Sequence, residues 1–289
     1  MPIKESELIL NPDGSVYHLN LLPENIANTI ITVGDPDRVD GVTQYFDKVT
    51  FKTRKREFHT QTGTYKGKPM TVISTGIGTD NIDIVFNELD ALVNIDLEKR
   101  EIKENLTSLD IVRIGTSGSI QENIPIDAFL VSEYAVGFDS LLHFYNSEAV
   151  QYKDISNALM QHTNWFQDKS TPYVVKSDDA LLKKLSSNQT HKGFTATNVG
   201  FYGPQGRILR LSIQDNDLND KLANFNFKGR AITNLEMETA GIYGLASLLG
   251  HKALSMNAII ANRATGEFSK DPKAVVDNLI KYTLDKLVD

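Results

Sequence analysis

Gln205 and Arg207 stand two residues apart in the stretch Phe201-Tyr202-Gly203-Pro204-Gln205-Gly206-Arg207, behind two aromatic side chains. Glutamine offers one acceptor and two donors, whereas arginine offers only donors in a rigid fork. Together they could read the edge of a small planar ring carrying two carbonyls and one N–H, with an aromatic face beneath it. Gly and Pro supply turn geometry in almost any protein, so a plain surface turn also accounts for these residues taken alone.

Three further clusters have types and spacing suited to chemistry. In ITVGDPDRVD an apolar run meets Gly34-Asp35-Pro36 and then Arg38. Glycine backbone N–H groups beside an arginine suit an anion, and an Asp-Pro helix cap with a solvated arginine is the alternative. Arg113 lies inside the apolar run Asp110–Ile114, and Gly115-Thr116-Ser117-Gly118 follow as a small, hydroxyl-rich loop. An unpaired charge there would be costly, so the arginine wants an anion or a carboxylate. In TNLEMETAGIYG a strand is expected to end at Leu235, with Glu236-Met237-Glu238 opening a helix. Acidic residues in a first turn answer the helix dipole, and a glutamate there could equally accept from the vicinal hydroxyls of a sugar.

Other chemistries find little support. The 289 residues include no cysteine, which removes disulfides, thiolate metal sites and cysteine nucleophiles and suits a reducing, cytoplasmic setting. The six histidines are scattered without metal-ligand spacing, and no Gly-x-Ser-x-Gly elbow is present. Gly76 and Gly78 begin a dinucleotide-like fingerprint, but Asn81 occupies its third glycine position. A net charge of −7 with no basic stripe argues against nucleic acid and anionic membranes as partners. The start, MPIKESELILNPDGS, mixes charges through its few apolar residues and is not expected to be a signal peptide.

The elements that must position these residues alternate between strands and helices. Strands are expected at Thr29–Val33, Met70–Ser74, Asp110–Ile114, Ala128–Ser132, Tyr173–Lys176, Gly193–Val199 and Ala253–Ala261, several of them β-branched runs bounded by Gly, Pro or Asp. Helices are expected at Asp80–Asn94, Asp178–Ser187, Glu236–Leu249 and Asp271–Leu287, the last opening on an Asp-Pro cap. The polar stretch Asp96–Ser108 reads as a loop or helix extension. No repeat or linker divides the chain, so one α/β domain over residues 1–289 is expected, with ligands at the loops after the strands.

Eight segments in order resemble the nucleoside phosphorylase family and, within it, the uridine phosphorylases. They are YHLNL at 17–21, VGDPDRV at 33–39, REF at 56–58, STGIG at 74–78, RIGTSGSI at 113–120, FYGPQGR at 201–207, EMET at 236–239 and NR at 262–263. The resemblance implies an α/β/α sandwich around a mixed, partly barrel-like sheet. It also implies reversible phosphorolysis: nucleoside plus phosphate gives free base plus sugar 1-phosphate, with no cofactor.

By that resemblance, phosphate would sit on the backbone N–H of Gly34 with Arg38, Arg113 and Thr116 around it, and Arg56 would reach in from a neighbouring subunit. Glu238 would accept from the ribose hydroxyls, supported by Met237 and Glu236, and His18 of the neighbour would approach the 5′ end. Phe201 would stack on the base, while Gln205, Arg207 and Arg263 would hold it. Arg113, Glu238, Arg207 and Arg263 form the implied catalytic set. A monovalent cation such as potassium would sit beside Glu57, and the protein would be a homo-oligomer, dimer or hexamer. No Asp stands near Asn262-Arg263 to protonate a purine, which favours pyrimidines. A purine nucleoside phosphorylase, a nucleosidase and a non-catalytic nucleoside-binding protein are the alternatives.

Overall fold

The computed structural model describes residues 2–289. Its first half runs β1 (Thr29–Val33), α1 (Asp37–Thr43), β2 (Lys48–Lys55), β3 (Phe58–Tyr65), β4 (Lys68–Ser74), α2 (Thr79–Asn94), the short hairpin β5 (Ile95–Asp96) and β6 (Glu101–Ile102), then β7 (Asp110–Ser119) and β8 (Phe129–Gly137). The second half runs α3 (Lys153–Thr163), β9 (Tyr173–Lys176), α4 (Asp179–Leu185), β10 (Thr190–Thr197), α5 (Leu218–Asn224), the hairpin β11 (Asn226–Phe227) and β12 (Arg230–Ala231), β13 (Asn234–Glu236), α6 (Thr239–Leu249), β14 (Lys252–Asn262), β15 (Glu267–Phe268) and α7 (Pro272–Val288).

Among the described residues, one mixed sheet joins eleven strands in the order β15-β14-β8-β10-β13-β7-β1-β4-β3-β2, with β9 on the edge of β8. β7 pairs with both β13 and β14, so β7, β14, β8, β10 and β13 close into a ring while β1, β4, β3 and β2 fan outward. Neighbouring side chains on the inner strands point to opposite faces. Ile30 and Ile111 join the cluster under α2 and α6, whereas Ile31 and Val112 join the cluster under α1, α4 and α7. A slip of one residue would put every such side chain on the wrong face, at about 1.5–3 kcal/mol for each large apolar group. The register is therefore firmly specified: β1 runs parallel to β7 with Thr32 opposite Arg113, which brings the loop after β1 alongside the middle of β7.

β1 and β9 match the expected bounds, and α2, α4 and α7 match within a residue or two. Three differences bear on the site. The expected loop Gly115–Gly118 is strand: β7 continues to Ser119 because β14 runs beside it on one edge, with a register shift near Ile259, and β13 pairs with its last residues on the other. The expected helix start at Glu236 is also displaced, since Glu236 ends β13 and α6 begins at Thr239. Finally, β2 and β3 went unseen, because β2 alternates exposed and half-exposed positions and carries four cationic side chains. Helices α1, α3 and α5 are additional, and Asp96–Ser108 begins with the β5–β6 hairpin.

Candidate active site

A cavity of about 850 Å³ opens where β1, β4, β7 and β13 end, bringing together Gly34, Arg38, Arg113, Thr116, Phe201, Gln205, Arg207, Glu236, Met237 and Glu238. At its floor the Arg113 guanidinium is buried. Its Nη2 donates to Glu238 Oε2 at 2.5 Å and lies 3.4 Å from Glu236 Oε2. Its Nη1 donates to Asn257 Oδ1 at 3.0 Å and more weakly to Ser255 Oγ at 3.4 Å. Gly115, two residues on and on the same side of β7, has no Cβ because one would run into this guanidinium. Burial by itself would lower the pKa of Arg113, but the carboxylates of Glu238 and Glu236 outweigh it and hold the charge firmly.

The two glutamates differ in what remains free. Glu236 Oε1 accepts from the Thr197 hydroxyl at 2.6 Å, and Oε2 accepts from Glu238 N–H at 3.0 Å, Thr239 N–H at 2.9 Å and the Thr239 hydroxyl at 2.8 Å. Its carboxylate therefore caps α6 from the preceding strand, and burial raises its pKa despite Arg113. Glu238 accepts only from Arg113 and from Gly78 N–H at 3.0 Å among the described residues, and its carboxylate borders the cavity. The Gly76/Gly78 pair thus serves this site: Gly78 supplies a donor to Glu238 at the start of α2, and its positive φ of 97° is one that glycine tolerates.

Where the loop after β1 meets the cavity, Asp35 accepts from Asp37 N–H, so the Asp-Pro turn expected as an alternative is present. Arg38 is nevertheless not solvated: it is half-buried and Nη1 donates to Ile114 O at 3.2 Å. Burial, and then the like charge of Arg113, lower its pKa. Two arginines that repel each other across a cavity wall favour an anion between them.

At the far end Gly203–Gln205 form a 3-10 turn, and Gly206 closes it at φ 71°. Arg207 Nη1 donates to Gln205 Oε1 and to Phe201 O, both at 2.5 Å, and its guanidinium carbon lies 3.8 Å from the centre of the Phe201 ring. The amide and guanidinium expected to read a ring edge side by side are therefore bonded to each other, and one face of Phe201 carries Arg207. Arg263 does not line the cavity; its guanidinium donates to the backbone carbonyls of Gln205 and Gly206.

His18 and Arg56 are also outside the cavity lining. His18 Nδ1 lies 2.6 Å from Glu88 Oε1 on α2, and Arg56 is exposed at the tip of the β2–β3 hairpin in a left-handed conformation at φ 55°. The contributions of Asn257 and Thr197 are not legible in the sequence, since polar residues inside apolar strands look like ordinary packing there.

A model of the phosphorylase superfamily matches residues 28–286. The chain belongs to that superfamily. The uridine phosphorylase of Thermococcus kodakarensis is 29% identical over 264 residues, spanning 89% of this chain and 81% of that protein. The uridine phosphorylase of Escherichia coli is 29% identical over 264 residues, 87% and 88% of the two chains. A solved nucleoside phosphorylase of Trypanosoma brucei, described as showing uridine phosphorylase activity, superimposes with a TM-score of 0.88 at 30% identity over 97% of this chain and 99% of its own. The mixed sheet with its closed ring is thus the superfamily fold, and the cavity lies inside the matched region.

Proposed function

We propose that this protein catalyses the reversible phosphorolysis of uridine to uracil and ribose 1-phosphate. The observation that carries this reading is one cavity presenting an arginine pair, then a buried carboxylate with spare acceptor capacity, then an amide–guanidinium pair beside an aromatic ring. Phosphate, ribose and base need these groups in this order.

Phosphate binds between Gly34, Arg38, Thr116 and Arg113 and relieves the repulsion between the two arginines. Arg113 holds Glu238 at the same time, so the carboxylate is aimed when the ribose hydroxyls arrive, with Met237 against the sugar. As the glycosidic bond breaks, the sugar becomes cationic and oxocarbenium-like, and the phosphate below it is both nucleophile and counter-charge. The base leaves with negative charge on its two carbonyl oxygens. In this reading Gln205 and Arg207 turn from their mutual hydrogen bond to donate there, which stabilises the transition state more than the ground state. Uracil binding requires Arg207 to share or yield the Phe201 ring face, and Arg263 acts on the base through the loop it holds. The stretch Ile259–Phe268 contains no Asp to protonate a purine, which favours the pyrimidine.

The same reading gives Arg56 and His18 roles across the interface of a homo-oligomer, dimer or hexamer. It also includes a monovalent cation beside Glu57, which lines the cavity wall, and a cytoplasmic enzyme acting as one domain. Among the described residues no helix is long and apolar enough to cross a membrane. The test is a pair of assays on uridine, with and without phosphate, following uracil and ribose 1-phosphate. Product only with phosphate supports the reading. Uracil and free ribose without phosphate make the protein a nucleosidase, and turnover of inosine in place of uridine makes it a purine enzyme.

A further inference from the structure

The base-directed loop is mostly exposed, with Phe201, Tyr202, Ile208 and Leu209 all more than half-exposed or close to it, yet Gln205 at its centre is 3% exposed. Something must hold that one residue in place. Its side-chain contact with Arg207 cannot do so, because Arg207 belongs to the same loop. The backbone provides the answer: Gln205 O accepts from Arg263 Nη1 at 2.6 Å and from Asn219 Nδ2 at 3.0 Å. One carbonyl with two lone pairs is thereby tied to two separate elements outside the loop, the segment after β14 and helix α5. α5 is itself fixed to the barrel, with Leu222 buried against Phe194 and Ile232 in the same cluster. Gly206 completes the fit: it lies at φ 71°, and a Cβ there would collide with the Asn219 carboxamide.

We propose that Asn219 is a positioning residue for substrate selection, holding the Gln205 backbone so that its amide meets the base edge in one orientation. The proposal rests on the uridine reading above. Asn219 touches no reacting atom; it acts through Gln205. Arg263 grips the carbonyls of Gln205 and Gly206 from the β14 side, and Asn219 adds a donor from α5, so the Gln205 carbonyl is held from two elements at once; misplacement by an ångström is enough to cost much of the rate.

The test compares Asn219→Ala and Asn219→Asp, the second keeping the shape while removing the donor. Both are expected to lower kcat/KM for uridine about tenfold, with the KM for phosphate changed less than about twofold. In a Gln205→Ala background, Asn219→Ala should cause no further loss. An equal fractional loss in that background, or unchanged kcat/KM in both single variants, overturns the proposal. Amide hydrogen exchange needs no substrate and decides the point separately. Asn219→Ala should speed exchange at Gly203–Arg207 while leaving Ile111–Ser117 of β7 as in the parent, and unchanged exchange in the loop overturns the proposal. A parent enzyme inert toward uridine would refute the functional reading alone and leave the exchange measurement to judge Asn219.

Discussion

Glu236 and Glu238 are two residues apart and both buried beside Arg113, yet replacing each by glutamine should have opposite consequences. Glu238→Gln keeps size and shape. Its carboxylate accepts from Gly78 N–H and Arg113 and has capacity left for hydroxyls, so the amide removes a charged acceptor facing the cavity. A hydrogen bond to a charged group contributes about 1.5–3 kcal/mol, and at about 1.4 kcal/mol per factor of ten the loss in kcat/KM is on the order of 10- to 150-fold. Stability suffers less than the about 3–5 kcal/mol typical of a broken buried ion pair, because Glu236 Oε2 stays 3.4 Å from Arg113 Nη2 as a second partner. Glu236→Gln does the reverse. Its carboxylate serves Thr197, Glu238 N–H and Thr239 and faces the α6 N-terminus, so neutralising it weakens the cap by about 2 kcal/mol, or about 4 °C in Tm. Well below that Tm, turnover should remain within about fivefold of the parent, since Glu236 has no free acceptor to offer a sugar. Steady-state kinetics on uridine and thermal denaturation of both variants provide the check. Equal kinetic losses, or a Glu238→Gln enzyme within about threefold of the parent, would refute the division of labour.

Three other perturbations test separate parts of the site. Gly115→Ala places a methyl group where the Arg113 guanidinium lies, so kcat/KM should fall at least about tenfold while overpacking costs about 1–3 kcal/mol of stability; full activity in a folded variant would mean that Arg113 is not needed where it stands. Gln205→Ala should lower kcat/KM for uridine about 10- to 100-fold and leave binding of phosphate alone intact by calorimetry, and a parallel loss of phosphate affinity would assign the loop to a different task. Asp139 is held above the ordinary carboxylate range chiefly by burial, although the Tyr173 hydroxyl and Leu141 N–H donate to it. With the folded pKa raised above the unfolded one, the stability this group contributes is fully present below the unfolded pKa and lost as pH rises through the folded pKa. Asp139→Asn, which keeps an acceptor for Tyr173, should therefore gain in Tm relative to the parent as pH rises from about 4 to 7, and a relative fall over that range would reverse the assignment.

Much of the molecule was legible before the structure. Short β-branched runs such as Thr29–Val33 and Tyr173–Lys176 become buried strands, the first inside the sheet and the second on the edge of β8, and the Asp271-Pro272 cap marks α7 by local chemistry alone. The buried setting of Arg113 could also be read from residue type and neighbours, since it follows from the cost of an unpaired charge.

What tertiary structure alone decided depends on pairing across long separations. Nothing near Gly115–Gly118 says whether it is a loop or a strand; pairing with β14 on one edge and β13 on the other makes it strand, because its backbone groups find their partners there. Arg113 could have met an anion or a carboxylate, and the fold supplies Glu238 from 125 residues away, which makes the arginine a support for the carboxylate. Arg263 lies beside the cavity rather than in it, its guanidinium taken up by the carbonyls of Gln205 and Gly206, and only the fold brings that loop, 58 residues earlier, against it. Residue types set which groups could take part, and the register of the closed sheet set which of them meet.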